Sequence, residues 1–223
     1  MASLVAPATL VIPTTLGRAV NLPVIAGASA VLFLLVVARL GELVDEQRRA
    51  AVTDGLTGLY NRRFFEATLA LEAEQAFRSE RDLGLLVLDI DHFKRINDAF
   101  GHDAGDRVLH RVAETCRAAL RRDDVIGRTG GEEFVVVMPG ADARVALEVA
   151  ERLRAAVERA EWGDVAAGLR VTVSVGAAEW APGDDTFAAT ARRADDSLYR
   201  AKELGRNRTE LSGAGAAPPA AAS

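Results

Sequence analysis

Two runs of β-type residues, at 125–129 and 133–138, meet across Gly130-Gly131. A chain that turns back over so few residues pairs the flanking runs antiparallel, and two glycines at the tip predict a two-residue hairpin of the primed type, which needs positive φ. Around this hairpin the periodicity alternates between the helical and strand repeats. Helical patterns cover 64–81, 104–120, 143–159 and 187–204, and strand patterns cover 83–89 and 169–178. Strands separated by helices, with one hairpin among them, predict an α+β fold: a central mixed, largely antiparallel sheet flanked by helices, spanning residues 54–211.

The N-terminal quarter reads differently. Residues 1–18 are apolar but broken by Pro7 and Pro13, and between Arg18 and Arg39 lie 20 uncharged residues. A run of about 20 apolar residues matches the length that crosses a bilayer core, so 19–40 is expected to be a transmembrane helix. Arg39, Arg48, Arg49, Arg62 and Arg63 follow this run and only Arg18 precedes it. The positive-inside rule then puts the following domain in the cytoplasm of a cell whose inner membrane holds the helix. Residues 41–53 read as a short juxtamembrane linker helix. Residues 212–223, rich in Ala, Gly, Pro and Ser, read as a disordered tail.

Charge narrows the partners. The formal net charge is −5, which argues against broad nucleic-acid binding, because neutralising a phosphate backbone needs a basic face. Cys116 is the only cysteine; it excludes an internal disulfide or a multi-cysteine metal site and fits a small core residue. His92 and His110 suggest no role. Of 27 basic residues only Lys94 and Lys202 are lysines. A lysine is a compact, flexible point charge where arginine is a rigid fork, so both positions suit a single ammonium against a phosphate oxygen.

The acids at the hairpin and at the first strand's end carry the chemistry. Glu132 and Glu133 follow the glycines directly, and glycine leaves room for a ligand at the backbone of Gly130 and Gly131. Asp89 ends the apolar run Leu-Gly-Leu-Leu-Val-Leu, which places a carboxylate at a strand end. An antiparallel neighbour brings it beside Glu132. Carboxylates and backbone carbonyls are hard oxygen ligands that suit Mg²⁺ with a phosphate substrate, and no Cys/His cluster competes for zinc. Lys202 and Arg206 are four apart, so they are expected to share one helix face.

Five segments together resemble the GGDEF family of diguanylate cyclases. They are Asp54-Gly-Leu-Thr-Gly-Leu-Tyr-Asn-Arg-Arg63, Asp89-Ile-Asp-His-Phe-Lys-Arg-Ile-Asn-Asp98, Gly101-His-Asp-Ala-Gly-Asp106, Arg128-Thr-Gly-Gly-Glu-Glu-Phe134 and the stretch from Ala194 to Asn207. The signature turn is in its GGEEF form. The resemblance implies a nucleotidyl-cyclase or palm-like fold and condensation of two GTP into cyclic di-GMP. It implies that Asp89, the Ile90 carbonyl, Glu132 and Glu133 hold Mg²⁺ or Mn²⁺, with Glu132 and Glu133 catalytic. Lys94, Lys202 and Arg206 would hold phosphates, and Asn97, Asp106 and His102 would line the guanine pocket. Arg121 and Asp124 match the family's RxxD site, where product inhibits, and Arg152 would add a contact there. One nucleotide per domain and a two-fold symmetric product imply catalysis by a homodimer. A catalytically silent domain that binds GTP or cyclic di-GMP is the alternative.

Overall fold

The computed structural model describes residues 22–180 and 187–212. The chain divides into two units, Met1–Ala50 and Ala51–Ser223.

The described residues of the first unit belong to one helix, α1 (Leu22–Val52). This helix overlaps the expected span at 19–40 and the expected linker helix at 41–53. No proline or glycine pair interrupts the 24–52 stretch, so the backbone has no cause to break. Apolar side chains are exposed along it, including Val31, Phe33, Leu34, Leu35 and Leu40. Among the described residues no helix is long and apolar enough to cross a membrane. Residues 1–21 and 213–223, including the expected apolar segment and most of the expected tail, lie outside the described residues.

The second unit is a six-stranded sheet with helices on both faces. Its elements are β1 (Tyr60–Asn61), α2 (Arg62–Ser79), β2 (Leu83–Ile90), α3 (Phe93–Phe100), α4 (His102–Ala119), β3 (Val125–Arg128), β4 (Glu133–Pro139), α5 (Ala143–Arg159), β5 (Val173–Trp180), α6 (Phe187–Glu203) and β6 (Thr209–Ser212). The strand order is β1-β3-β4-β2-β5-β6. Antiparallel pairs β3–β4, β4–β2 and β2–β5 form the centre, and parallel pairs β1–β3 and β5–β6 form the edges. The mixed, largely antiparallel sheet expected from the periodicity is the one observed. The edge strands β1 and β6, of two and four residues, and α3 were not anticipated.

Alternation divides the core. Leu86, Leu88 and Ile90 point with Phe134, Val136 and Met138 into a large cluster covered by α3, α4 and α5. Leu83, Leu85 and Val87 point the other way, into a smaller cluster with Phe65 of α2 and Ala194 and Leu198 of α6. Every residue of β2 is buried, as befits a central strand covered on both faces. The helices start where the sequence offers caps: Asn61 Oδ1 accepts the Phe64 amide at 3.0 Å and Asp142 Oδ1 accepts that of Val145 at 2.7 Å.

Candidate active site

Asp89 follows the parity of Leu85 and Val87, so its side chain lies on the α2/α6 face of β2. It is 6% exposed. The β2–β4 register sets it opposite Glu133, and the next residue along, Ile90, donates its amide to the Glu132 carbonyl at 3.3 Å. The strand end and the glycine loop therefore converge, with Glu132 partly buried and Glu133 exposed.

Lys202 reaches this point because α6 lies unusually close to the sheet. A β-carbon on Gly176 would sit 2.1 Å from the Ala194 carbonyl oxygen and 2.3 Å from the Leu198 nitrogen, so only glycine admits the helix there. One turn beyond Leu198, the Lys202 Nζ lies 2.8 Å from Asp89 Oδ2. A cleft of about 570 Å³ between α2 and α6 opens beside the cluster, lined by Glu133, Lys202, Arg62 and Asp195 above an apolar floor that includes Leu85, Val87 and Val135.

The acids crowd one another. Burial is the largest influence on Asp89 and pushes its carboxyl above the usual range; Lys202 opposes this, while Glu133 and Asp91 add to it. Burial likewise raises Glu132, with further repulsion from Asp89 and Glu133 and partial relief from Lys202. One ammonium does not neutralise the cluster, which leaves it attractive to a further cation. Among the described residues no three His, Cys, Asp or Glu side chains form a metal-binding group by themselves. Mg²⁺ commonly takes only one or two carboxylates and fills its remaining positions with water and phosphate oxygens. Asp89 and Glu132, with hard oxygen donors and excess negative charge, fit an ion shared with a phosphate substrate.

The glycine loop departs from expectation. Strand β3 ends at Arg128 and β4 begins at Glu133; Thr129 N donates to Glu133 O at 3.2 Å, so three residues, not two, lie inside the closing pair. Neither Gly130 nor Gly131 has positive φ. The expected primed two-residue hairpin is absent because the added length lets the chain reverse without left-handed residues. A side chain holds the wider loop instead: Arg128 donates through Nη2 and Nε to the Gly131 carbonyl at 2.7 and 3.2 Å, and through Nη1 to Asp54 Oδ1 at 3.0 Å.

Asn97 of α3 lies against the first turn of α4. A β-carbon on Gly105 would fall 1.9 Å from Asn97 Oδ1, so this glycine makes room for the amide beside Asp106. Asp106, His102 and Lys94 are exposed. Arg206 does not share a helix face with Lys202, as their spacing suggested. Helix α6 ends at Glu203, and Arg206 and Asn207 adopt left-handed φ values of 63° and 45° in the turn that follows. The periodicity could not reveal this stop.

Asp91 buttresses that turn, a role the sequence did not suggest. Its buried carboxylate accepts from Thr172 Oγ1 and Ser174 Oγ, both at 2.7 Å, and from the Asn207 amide at 3.0 Å. Arg154 adds a second brace, donating to Asn207 Oδ1 at 2.7 Å and pairing with Glu151 and Glu158. The only prior signal was that Asp91 and Asn207 fall inside the motif segments.

Away from the acids, Arg121 and Asp124 line a pocket of about 460 Å³ with Arg117, Tyr60 and Thr53. Asp124 Oδ2 accepts the Arg121 backbone amide at 2.9 Å, so the carboxylate shapes the turn. Arg152 lies outside this lining and donates Nε to the Ala119 carbonyl at 2.9 Å.

Residues 51–208 match the family described as diguanylate cyclase, GGDEF domain. The chain belongs to the GGDEF family. Among curated relatives, the diguanylate cyclase DgcP of Pseudomonas aeruginosa is 45% identical over 168 residues, covering 75% of this chain and 25% of DgcP. The response regulator PleD of Caulobacter vibrioides is 43% identical over 167 residues, covering 74% of this chain and 37% of PleD. The chain thus spans less than half the length of these GGDEF relatives. Among solved structures, the coiled coil and GGDEF domain of DgcB from Caulobacter crescentus, in complex with c-di-GMP, is 35% identical with a TM-score of 0.72, over 84% of this chain and 99% of that one. The GGDEF match and the second unit begin at the same residue, so the family's fold accounts for the sheet domain and the acid cluster lies within it.

Proposed function

We propose that the protein is an active diguanylate cyclase that condenses two GTP into cyclic di-GMP and two pyrophosphates. The observation that carries this reading is the convergence of Asp89, Glu132 and Glu133 beside Lys202 at one end of β2. An inactive binding domain has no need to keep several poorly neutralised carboxylates together.

On this reading Asp89 and Glu132, with the Ile90 carbonyl and Glu133, hold Mg²⁺ or Mn²⁺. Such an ion, when bound, neutralises phosphate charge and polarises the reacting oxygens. Lys202 leaves Asp89 for a phosphate oxygen, a change its flexible stem permits, and Arg206 and Lys94 hold the same triphosphate. Glu132 accepts the proton of a ribose 3′-hydroxyl. The freed oxygen forms a bond to the α-phosphorus of the second GTP as the bond to the β-phosphate oxygen breaks, and pyrophosphate departs. Repeating the step in the other direction closes the ring. Asn97 and Asp106 read guanine, whose N1–H and 2-amino group are adjacent donors for a carboxylate; His102 lines the same pocket, and Gly130 and Gly131 leave the backbone open to substrate. Each domain holds one nucleotide, so two domains must meet face to face.

Arg121 and Asp124, with the Arg117 guanidinium in the same pocket, form the product-binding inhibitory site, since guanidinium forks suit phosphate and guanine edges. The exposed apolar residues of α1, followed by Arg39, support attachment to a bacterial inner membrane with the catalytic domain on the cytoplasmic side.

Incubating the purified chain with GTP and Mg²⁺ and separating the products by chromatography and mass spectrometry tests the reading. Cyclic di-GMP with two equivalents of pyrophosphate is expected. A folded protein that binds GTP and leaves it unchanged would overturn the proposal.

A further inference from the structure

Arg128 is tied on both sides. Its Nε and Nη2 grip the Gly131 carbonyl, immediately before Glu132, and its Nη1 grips Asp54. The guanidinium side chain is only 14% exposed and that of Asp54 only 26%, so solvent screens this contact less than it screens an open surface pair.

Asp54 is a rigid anchor. Its carboxylate also accepts from the Thr57 amide at 2.9 Å and the Thr57 hydroxyl at 2.7 Å. Its backbone is closed into a loop by Asp54 N to Leu59 O and Gly58 N to Asp54 O, each 2.8 Å. The loop is braced from α4 by Arg117 Nη2, 2.8 Å from the Gly58 carbonyl. Hydrogen bonds from Thr57 and the Arg128 charge hold the Asp54 carboxyl below its usual range despite burial, so it remains an acceptor for Arg128 across neutral pH. By contrast Gly130 and Gly131 contribute no side chains, and a β-carbon on Gly131 would meet nothing within 4 Å. The loop that carries Glu132 thus has little packing to fix it. The Arg128 fork takes the place of packing.

We propose that Arg128, anchored by Asp54, is a positioning residue that sets where Glu132 stands relative to Asp89. The proposal rests on the cyclase reading for its kinetic consequence but not for its structural one.

Arg128→Lys keeps the charge but cannot bridge a carbonyl and a carboxylate with the same planar fork. The full chain carrying it should lose roughly 10- to 100-fold in kcat with KM for GTP changed less than about twofold, since small misplacements of reacting groups cost about that much. Cyclic di-GMP affinity at the Arg121 pocket should be retained. A second readout needs no turnover: amide exchange at Ile90, whose N–H reports the Glu132 carbonyl, should accelerate about tenfold while that of Leu86 in the same strand is unchanged. Asp54→Asn should shift both readouts in the same direction by less, and it stands in if the lysine variant does not fold. Unchanged kcat and unchanged Ile90 exchange in a folded variant would overturn the proposal. Wild-type protein that makes no cyclic di-GMP defeats the cyclase reading alone, and the exchange measurement still decides the role of Arg128.

Discussion

Asp89, the penultimate residue of β2, and Asp91, the first residue past its end, are almost equally buried, at 6% and 5% exposure, yet their surroundings give them opposite characters. Asp91 is met by two hydroxyls and a backbone amide that tie β5 and the turn after α6 to the end of β2. Asp89 has one ammonium near it and two glutamates crowding it, and its carboxyl is pushed above the usual range. The first region contributes to stability through satisfied hydrogen bonds. The second gathers carboxylates around a single ammonium, and perturbed clusters of this kind concentrate at functional sites.

Substitutions can break this contrast. The largest expected effect is in the crowded region: Glu132→Gln should lower turnover by about 10²- to 10⁴-fold with the thermal melting curve preserved, as read by cyclic di-GMP production and circular dichroism. Retained turnover would refute the proton-accepting role. In the compensated region Asp91→Asn places an amide donor among existing donors. It should cost about 2 kcal/mol of stability, measured by urea denaturation, with loss of activity following from displacement of Arg206.

The matching change next door, Asp89→Asn, sharpens the comparison because its sign should differ. Removing a charge that burial disfavours should leave the metal-free protein as stable as wild type or more so, while activity is lost. The pH dependence points the same way. A carboxyl raised in the folded state binds its proton more tightly there than in the unfolded chain. The metal-free protein therefore loses stability as pH rises from the ordinary carboxylate range through the raised value of Asp89, and Asp89→Asn should flatten that slope. A wild-type slope unaltered in the variant would remove Asp89 as its source. The smallest effect on turnover is expected from Arg121→Ala, which should weaken inhibition by added cyclic di-GMP and leave the initial rate intact; an unchanged inhibition curve would reject the pocket as the inhibitory site.

Much of this is legible in the amino-acid sequence. Periodicity over eight or more residues located β2 and the long helices of the domain, because the same repeat that makes a pattern visible also makes a face that can be buried. Five motif segments placed Asp89, Glu132, Glu133 and Lys202 among the functional candidates because chemistry restricts residue type. What folding decided is where short elements and single side chains fall. The glycine loop is wider than two glycines suggested because Arg128, a residue outside the turn, supplies the bonds that hold it. Lys202 meets Asp89 because Gly176, on another strand, admits α6 to the sheet, and Arg206 leaves the helix because Asp91 and Arg154 capture the next residue. Apart from the local Arg128 to Gly131 bonds, these contacts join residues far apart in the chain (Arg128 to Asp54, Lys202 to Asp89, Asn207 to Asp91 and Arg154), and periodicity, which records only neighbours along the backbone, carries no trace of them.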